Sequence, residues 1–273
     1  MPETQNLSLI FKSIPSSFPE PGKHLTIEPR PLDLSQSPPS NGILIRNIYA
    51  SFDPYQRGRM RDSSIKSYSP AFPLNEPIIN AAIARVLASS NSNHKKDDLV
   101  LVMSCPIQEY SVLSGEHVQK NVFPIHNPYN LDVKLFLGAL GMPGLTAYSS
   151  LYKIGEPKKG ETIFISAASG AVGQIVGQLA KHEGLKVIGS VGDDAKLKYI
   201  EEELGFDGGF NYKKEKPAEA LKRLAPEGLD VYYENVGGEQ LEAAIGAMKD
   251  HGRIGKIPCP FLHAISLLFS SVD

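Results

Sequence analysis

The chain contains the stretch Thr162-Ile-Phe-Ile-Ser-Ala-Ala-Ser-Gly170-Ala-Val-Gly173-Gln-Ile-Val-Gly177-Gln-Leu-Ala180-Lys181. Its first residues are apolar and β-branched, which predicts a buried strand. Small residues then predict a tight turn, and the apolar spacing after Gly170 predicts a helix. A helix that begins directly after a strand turns its unpaired N–H groups toward the turn, where they can bind an anion.

The turn has the pattern Ala168-x-Gly170-x-x-Gly173, which is a dinucleotide fingerprint with alanine in place of the first glycine. Gly170 allows the backbone to approach a pyrophosphate, and Gly173 allows the helix to pack close to the strand. The alternative is an ordinary tight turn between a strand and a helix. The position of the pattern after a strand and before a helix favours the dinucleotide site.

Length and composition narrow the class of protein. The 273 residues allow one large domain or two ordinary ones, and the net charge of -2 argues against a nucleic-acid partner. The only cysteines, Cys105 and Cys259, do not have the spacing of zinc ligands, so no metal site is predicted. No signal peptide and no apolar run long enough to span a bilayer are found in the sequence. We therefore expect a cytoplasmic protein without a membrane partner.

Two different sequence patterns follow one another along the chain. Residues 1–130 contain short strand-like runs separated by Pro, Ser and Asn, which predicts an antiparallel, partly barrel-like β domain. Residues 131–257 alternate between helix and strand patterns, which predicts an α/β domain with a doubly wound parallel sheet. Its first two predicted helices cover 133–140 and 145–152, and a later one covers 195–204. Five strands are predicted where a complete fold of this type has six, so the sheet is expected to be incomplete at its C-terminus.

The residues after the second strand of the parallel sheet indicate which cofactor is used. In sheets that prefer NAD, an acidic residue about twenty positions after the glycine motif binds the ribose 2′-hydroxyl. Gly192 occupies this place, and Lys196 follows within reach of a 2′-phosphate. Asp193 and Asp194 oppose a phosphate, but they fit the N-cap and first turn of the next helix. The pattern favours NADP(H) over NAD(H); the alternative for Lys196 is a solvated helix lysine.

Several segments together resemble the zinc-independent medium-chain dehydrogenase/reductases, in the group of prostaglandin/leukotriene reductases and alkenal double-bond reductases. The segments that carry the resemblance are Asp53-Pro-Tyr-Gln-Arg57-Gly-Arg-Met60, Gly141-Met-Pro-Gly-Leu-Thr-Ala-Tyr148, Ala167-Ala-Ser-Gly-Ala-Val-Gly173, Gly205-Phe-Asp207, Phe210-Asn-Tyr-Lys213 and Tyr232-Tyr-Glu-Asn-Val-Gly-Gly-Glu239. The resemblance implies a GroES-like β-rich N-terminal domain followed by a Rossmann-type NADP(H)-binding domain. It also implies an enzyme that reduces the C=C bond of α,β-unsaturated ketones and aldehydes with NADPH, in most members as a homodimer.

The resemblance assigns roles to matching residues. The implied cofactor contacts are Met142, Pro143 and Thr146 at the nicotinamide, Asn235 at its ribose, Gly170, Ala171 and Val172 at the pyrophosphate, and Lys196 with Tyr212 at the 2′-phosphate. Tyr55 would be the catalytic hydrogen-bond donor at the substrate. Four of these residues also have a purely structural interpretation. Tyr55 could pack at a turn, Met142 could belong to the core, Asn235 could form a turn, and Tyr212 could be an ordinary aromatic residue at a strand end.

The chain also departs from the family pattern. Some members carry a substrate-pocket tyrosine at the position of Ala81, which predicts a reshaped pocket. No family pattern is found in the tail over 258–273, and family chains continue past that point, so a C-terminally truncated protein is expected. Two alternatives to the enone reductase therefore stay open. One is a quinone-type oxidoreductase of the same superfamily, and the other is a truncated product with impaired or no activity.

Overall fold

The computed structural model describes residues 3–256, which fall into two compact units, 3–137 and 138–256. The sequence-based domain limits at residues 130 and 257 stay predictions. The tail over 258–273, with its apolar residues at helix spacing between 261 and 269, lies outside the described residues, as do Ile257 and Cys259. Among residues 3–256, no helix is both long and apolar enough to cross a lipid bilayer.

The first unit consists mainly of antiparallel strands, as the sequence predicts. Its elements are β1 Glu3–Thr4, β2 Leu7–Phe11, β3 Leu25–Pro29, β4 Leu32–Asp33, β5 Ile43–Ala50, α1 Tyr55–Arg59, β6 Glu76–Pro77, β7 Ile79–Ser89, β8 Leu99–Pro106, β9 Tyr110–Leu113, α2 Gly115–Asn121 and β10 Val122–Pro124. The main sheet has the order β10-β8-β7-β5-β9, and β3-β2-β6 form a smaller sheet. Alternate residues of β5, β7 and β8, among them Ile43, Ala82 and Val100, are buried in one core.

The second unit is a five-stranded parallel sheet with helices between the strands. Its elements are α3 Met142–Ser150, β11 Thr162–Ile165, α4 Ala171–His182, β12 Lys186–Val191, α5 Asp194–Lys198, β13 Gly208–Asn211, α6 Pro217–Leu224, β14 Leu229–Glu234, α7 Gly238–Ala247 and β15 Met248–Lys256. The strand order is β13-β12-β11-β14-β15, with every pairing parallel. The chain therefore leaves β11 toward β12 and later returns to β14 on the other side, which makes the β11/β14 boundary the topological switch point.

Both faces of the parallel sheet are covered. Ile163 and Ile165 pack with Val176 of α4 in one core. Phe164 lies between them in sequence and packs in the opposite core, with residues of α6 and α7. This alternation along a single strand needs helices on both faces, because each face would otherwise expose apolar side chains. The predicted fold class, an antiparallel β domain followed by a doubly wound sheet, is confirmed.

Two helix predictions differ from the structure, the first in its extent and the second in its hydrogen-bond pattern. The apolar pattern over 133–140 forms only a short 3-10 helix, Val133–Phe136. The chain turns after it, because the Gly138 carbonyl accepts the N–H groups of Gly141 and Gly144, at 2.9 and 3.1 Å. The pattern over 195–204 starts as α5 and continues as a wider π-helical turn, Tyr199–Glu203. In both cases apolar spacing located the segment but not its hydrogen-bond pattern.

Phe164→Ala should strongly destabilise the second unit. The Phe164 ring is fully buried and stacks on Tyr232 and Phe210, with centroid distances of 5.0 and 5.8 Å. Removing a buried phenyl ring leaves a cavity, so we expect a loss of about 3–5 kcal/mol in the free energy of unfolding. Urea unfolding followed by circular dichroism measures it. Phe123→Ala is the control, since Phe123 is 47% exposed; equal losses in both variants would contradict this account of the core.

Candidate functional site

The turn between β11 and α4 has the shape of an anion site. Ala167 adopts φ +49°, which reverses the chain after the strand. Gly170 is the N-cap of α4, in extended conformation, and no side chain caps the helix. The N–H groups of the first helical turn, from Ala171 to Gly173, therefore have no side-chain acceptor from a cap. Together with the positive end of the helix dipole, they can bind a negatively charged group.

Gly173 allows the helix to start this close to the turn. A Cβ atom on Gly173 would lie 2.5 Å from the Ala167 carbonyl oxygen and 2.9 Å from the Ala168 Cα. Both neighbours are backbone atoms, so they could move only if the turn itself moved. At Gly170 a Cβ atom would lie 3.1 Å from the Ala167 oxygen, which is a milder restriction.

The alanine in place of the first fingerprint glycine is accommodated by a neighbouring strand. The Ala168 side chain is fully buried. It occupies the space beside Gly189 of β12, where an added Cβ atom would approach the Ala168 methyl to 2.7 Å. Sequence reasoning did not single out Gly189. A glycine in the middle of a strand is the signal that could have pointed to this close approach.

Two of the predicted 2′-phosphate residues, Gly192 and Tyr212, lie together directly after β12 and β13. The Tyr212 hydroxyl is 2.9 Å from the place where a Cβ atom on Gly192 would stand. Lys196 lies on α5, with its ammonium group exposed and 3.5 Å from Asp193. Asp193 is the N-cap of α5, as predicted, and accepts the Lys196 N–H at 2.9 Å. That hydrogen bond, with the nearby lysine charges, lowers the pKa of Asp193.

Asp194 does not present a free carboxylate to a phosphate either. It lies in the first turn of α5, where it accepts a hydrogen bond from the Asn211 amide at 2.8 Å and pairs with Lys214. The repulsion that these two aspartates would exert on a phosphate is therefore partly offset by their own donors.

The predicted nicotinamide residues lie at the start of α3. Pro143 is buried in the first turn of the helix, and Thr146 is half-buried. Met142 is 40% exposed, so the interpretation of Met142 as a core residue is wrong. The hydroxyl groups of Ser150, at the end of α3, and Tyr233 of β14 are 2.6 Å apart. This contact ties the helix to the strand that precedes Asn235.

Asn235 joins the carboxyl ends of β11 and β14, at the switch point. Its backbone N–H donates to the Ser166 Oγ, and its side-chain Nδ2 donates to the Ser166 carbonyl, each at 2.8 Å. The residue is buried. Asn235 thus fixes the start of the turn that leads into α7, while its Oδ1 atom and its carbonyl are not used by these two bonds.

Sequence reasoning missed two residues at the switch point, Ser166 and Glu234. Glu234 is 2% exposed and accepts hydrogen bonds from backbone and hydroxyl groups around it. The signal was present, because polar residues that directly follow buried parallel strands lie at the edge where such folds bind ligands.

Tyr55 belongs to the first unit, at the start of α1. It is half-buried, and its hydroxyl donates to the Asn80 Oδ1 atom. The Asn80 amide in turn donates to Asp53 at 2.7 Å and to the Ser51 carbonyl at 2.8 Å. Burial, and then the charge of Asp53, raises the pKa of Tyr55 to about 12. The hydroxyl keeps its proton at neutral pH, and its role as a donor to substrate stays a prediction.

Among residues 3–256, Cys105 and the potential metal ligands are candidates for a second site. Cys105 is buried beside Asn47, and burial raises the pKa of its thiol to about 11, so it behaves as a small apolar residue. Within the part of the chain that the structure describes, no three His, Cys, Asp or Glu side chains are grouped so that they could hold a metal ion.

Comparison with known proteins identifies the class. The family model described as "N-terminal domain of oxidoreductase" matches residues 9–121, and the one described as "Zinc-binding dehydrogenase" matches residues 171–258. NADP-dependent oxidoreductase RED1 of Cochliobolus heterostrophus is 57% identical over 250 residues, which cover 92% of this chain and 70% of that protein. The NADP(+)-dependent 2-alkenal reductase of Nicotiana tabacum is 41% identical over 257 residues, covering 92% of this chain and 72% of its own length.

The solved structures agree. The crystal structure of CurA from Vibrio vulnificus in complex with NADPH superposes with a TM-score of 0.80 at 32% identity, covering 91% of this chain and 70% of CurA. The similarity includes both the N-terminal β unit and the parallel sheet, which confirms the resemblance inferred from the motifs. The chain therefore belongs to the medium-chain dehydrogenase/reductase family, in the group of NADP-dependent oxidoreductases that includes the alkenal double-bond reductases.

Proposed function

We propose that this protein is an NADPH-dependent reductase of the C=C bond of α,β-unsaturated ketones and aldehydes. The observation that carries the proposal is the uncapped N-terminus of α4 at the switch point, with Gly173 in backbone contact with the turn. Relatives named 2-alkenal reductase and (+)-pulegone reductase support the type of reaction, at 41% identity each. The proposed substrate class is therefore enals and enones.

The residues of the second unit fit NADP(H) chemically. Ala171, Val172 and Gly173 offer backbone N–H groups to a pyrophosphate, and Gly170, whose own N–H donates to the Ala167 carbonyl, allows the close approach of the backbone. Lys196 and Tyr212, beside Gly192, offer a charge and a hydroxyl to the 2′-phosphate. Asn235 would bind at the nicotinamide ribose, and Met142, Pro143 and Thr146 at the nicotinamide. When bound, the cofactor supplies a hydride for the β-carbon of the substrate.

The role proposed for Tyr55 is to stabilise the oxygen of the substrate. When a hydride reaches the β-carbon, negative charge develops on the carbonyl oxygen, and the resulting enolate then takes a proton from solvent water at its α-carbon. A neutral hydroxyl with a raised pKa donates a hydrogen bond to such an oxygen and keeps its own proton. Because the Tyr55 hydroxyl donates to Asn80, it must rotate about its C–O bond before it can donate to substrate.

Quinone-type reduction and an impaired product remain the alternatives, since both share the cofactor residues. The homodimer and the cytoplasmic location stay predictions. Activity with different acceptors separates the alternatives.

Purified protein should oxidise NADPH with enals and enones, and only weakly with quinones. Tyr55→Phe should lower kcat with an enal about a hundredfold, because an oxyanion donor is lost. NADPH absorbance measures turnover, and isothermal titration measures binding. Tyr129→Phe is the control, since Tyr129 is 83% exposed.

The results discriminate in four ways. Unchanged turnover in Tyr55→Phe would reject the donor role, and turnover of quinones alone would favour the first alternative. Binding of NADPH without any turnover would favour an impaired product. An absence of binding would reject the proposed function.

Lys196→Ala should weaken NADPH binding about tenfold and leave NADH binding nearly unchanged. The reason is the loss of one charge-assisted contact, which affects only the cofactor that carries a 2′-phosphate. Isothermal titration at two salt concentrations measures both affinities. Lys198→Ala is the control on the same helix, where Lys198 pairs with Glu202 at 3.6 Å. If Lys196→Ala weakened NADH binding as much as NADPH binding, Lys196 would not be the residue that binds the 2′-phosphate.

Gly173→Ala should abolish measurable NADPH binding, because the added methyl would meet the backbone of Ala167 and Ala168 and push α4 away from the turn. Gly246→Ala is the matched control: Gly246 also lies in a helix, and an added Cβ atom would meet nothing within 4 Å. Circular dichroism checks that both variants fold, and titration measures binding. Normal affinity in Gly173→Ala would show that this close contact is dispensable.

A further inference from the structure

The carboxylate of Glu234 is a buried charge without a cation. The residue is 2% exposed at the end of β14, and no Lys, Arg or His of residues 3–256 forms an ion pair with it. Transfer of a carboxylate out of water is costly unless hydrogen bonds replace the lost water. A group of donors that converge on both oxygens must therefore compensate the charge.

Those donors come from the turn that follows the strand and from the strand itself. The Oε1 atom accepts the N–H of Val236 and, at 2.7 Å, the N–H of Gly237. The Oε2 atom accepts the Tyr232 hydroxyl at 2.7 Å, and the Ser166 hydroxyl lies 3.4 Å from Oε1. A carboxylate accepts on both oxygens and donates on neither, which suits a site where every neighbour is a donor.

The turn over 235–238 has a backbone conformation that hydrogen bonds must hold in place. Gly237 and Gly238 have φ values of +82° and +57°, and an unfolded glycine pair has more freedom to lose than any other residues. Gly237 is also the N-cap of α7, which has no side-chain cap of its own. The Glu234 carboxylate thus bonds the N-cap amide and lies at the positive end of the helix dipole.

Asn235 lies between these contacts. Its two bonds to Ser166 hold it on the β11 side, and the carboxylate of the preceding residue holds the two amides that follow it. Its remaining acceptor atoms can therefore take only a narrow set of directions. This arrangement meets the turn before α4 through Ser166, and none of the hydrogen bonds described for it involves Gly192, Lys196 or Tyr212.

We propose that Glu234 is a positioning residue, which holds the 235–238 turn in the conformation that binds the nicotinamide half of NADP(H). The proposal rests on the proposed function, since Asn235 contacts the cofactor only if the cofactor binds there. It implies that Glu234 affects one half of the cofactor and not the other. Adenosine 2′,5′-bisphosphate, which has the 2′-phosphate half without the nicotinamide, is the probe that separates the halves.

The test compares Glu234→Gln with Asp230→Asn. Glutamine keeps the volume of glutamate and one acceptor oxygen, but it removes the charge and places an amide donor beside the Tyr232 hydroxyl, which now donates to Oε2. Asp230 lies at the opposite end of the same strand, where it accepts the Thr162 N–H at 2.8 Å and pairs with Lys249 at 2.7 Å. Asp230→Asn is therefore the same chemical change, made away from the turn.

In Glu234→Gln, the Kd for NADPH should rise about tenfold, while the Kd for adenosine 2′,5′-bisphosphate should stay within about twofold of wild type. Hydrogen exchange of the Val236 and Gly237 amides should become faster in this variant, because a neutral amide oxygen is a weaker acceptor for them than the carboxylate Oε1. Asp230→Asn should lower thermal stability without separating the two ligands and without changing exchange at those amides.

The inference would be overturned if Glu234→Gln weakened the binding of both ligands equally, because a residue with a general structural role would act in this way. It would also be overturned if the binding of neither ligand changed. Unchanged exchange at Val236 and Gly237 would also overturn it. Wild-type protein that binds neither ligand would instead reject the proposed function, and the inference with it. Wild-type binding together with an unaffected variant would reject the inference alone.

Discussion

The second unit depends on how closely the first turn of α4 packs against the turn after β11. Gly173 has backbone atoms of Ala167 and Ala168 where any other residue would have a side chain. The contact keeps the helix axis directed at the turn, so the amide groups of its first turn converge on one place. The buried methyl of Ala168 and the missing side chain of Gly189 complete the fit on the side of β12. A shift of the helix would remove the convergence even if every residue were unchanged.

The polar groups at the β11/β14 boundary connect the two strands beyond the point where their backbone pairing ends. The strands are held along their length by backbone hydrogen bonds and by the apolar residues on both faces, but these end where the strands end. Beyond that point, Ser166, Asn235 and Glu234 continue the connection with side-chain bonds in a buried place. Buried polar groups are costly when one partner is missing, so a satisfied network of this kind specifies a single arrangement of the two turns.

Tyr55 illustrates the same principle in the first unit. Its hydroxyl is held by Asn80, whose amide cannot be reversed without placing its oxygen against Asp53 and the Ser51 carbonyl. The direction of the tyrosine proton thus depends on Asp53 and the Ser51 carbonyl. These two acceptors hold the Asn80 amide nitrogen and so leave the Asn80 oxygen facing Tyr55.

The amino-acid sequence by itself determined the order of elements, the doubly wound class and the glycine turn, because these depend on local spacing and on residue size. It also indicated Gly192 and Lys196, since a missing carboxylate and a nearby lysine are visible in the chain, whereas Tyr212 was implied by the family resemblance. It did not reveal Ser166, Glu234, Gly189 or Asn80, and it extended the helix over 133–140 too far. These depend on which strands become neighbours and on which donors meet which acceptors across the sheet. Such pairings join residues up to about seventy positions apart, and only the tertiary structure decides them, because buried hydrogen bonds must be satisfied by groups that the fold brings together.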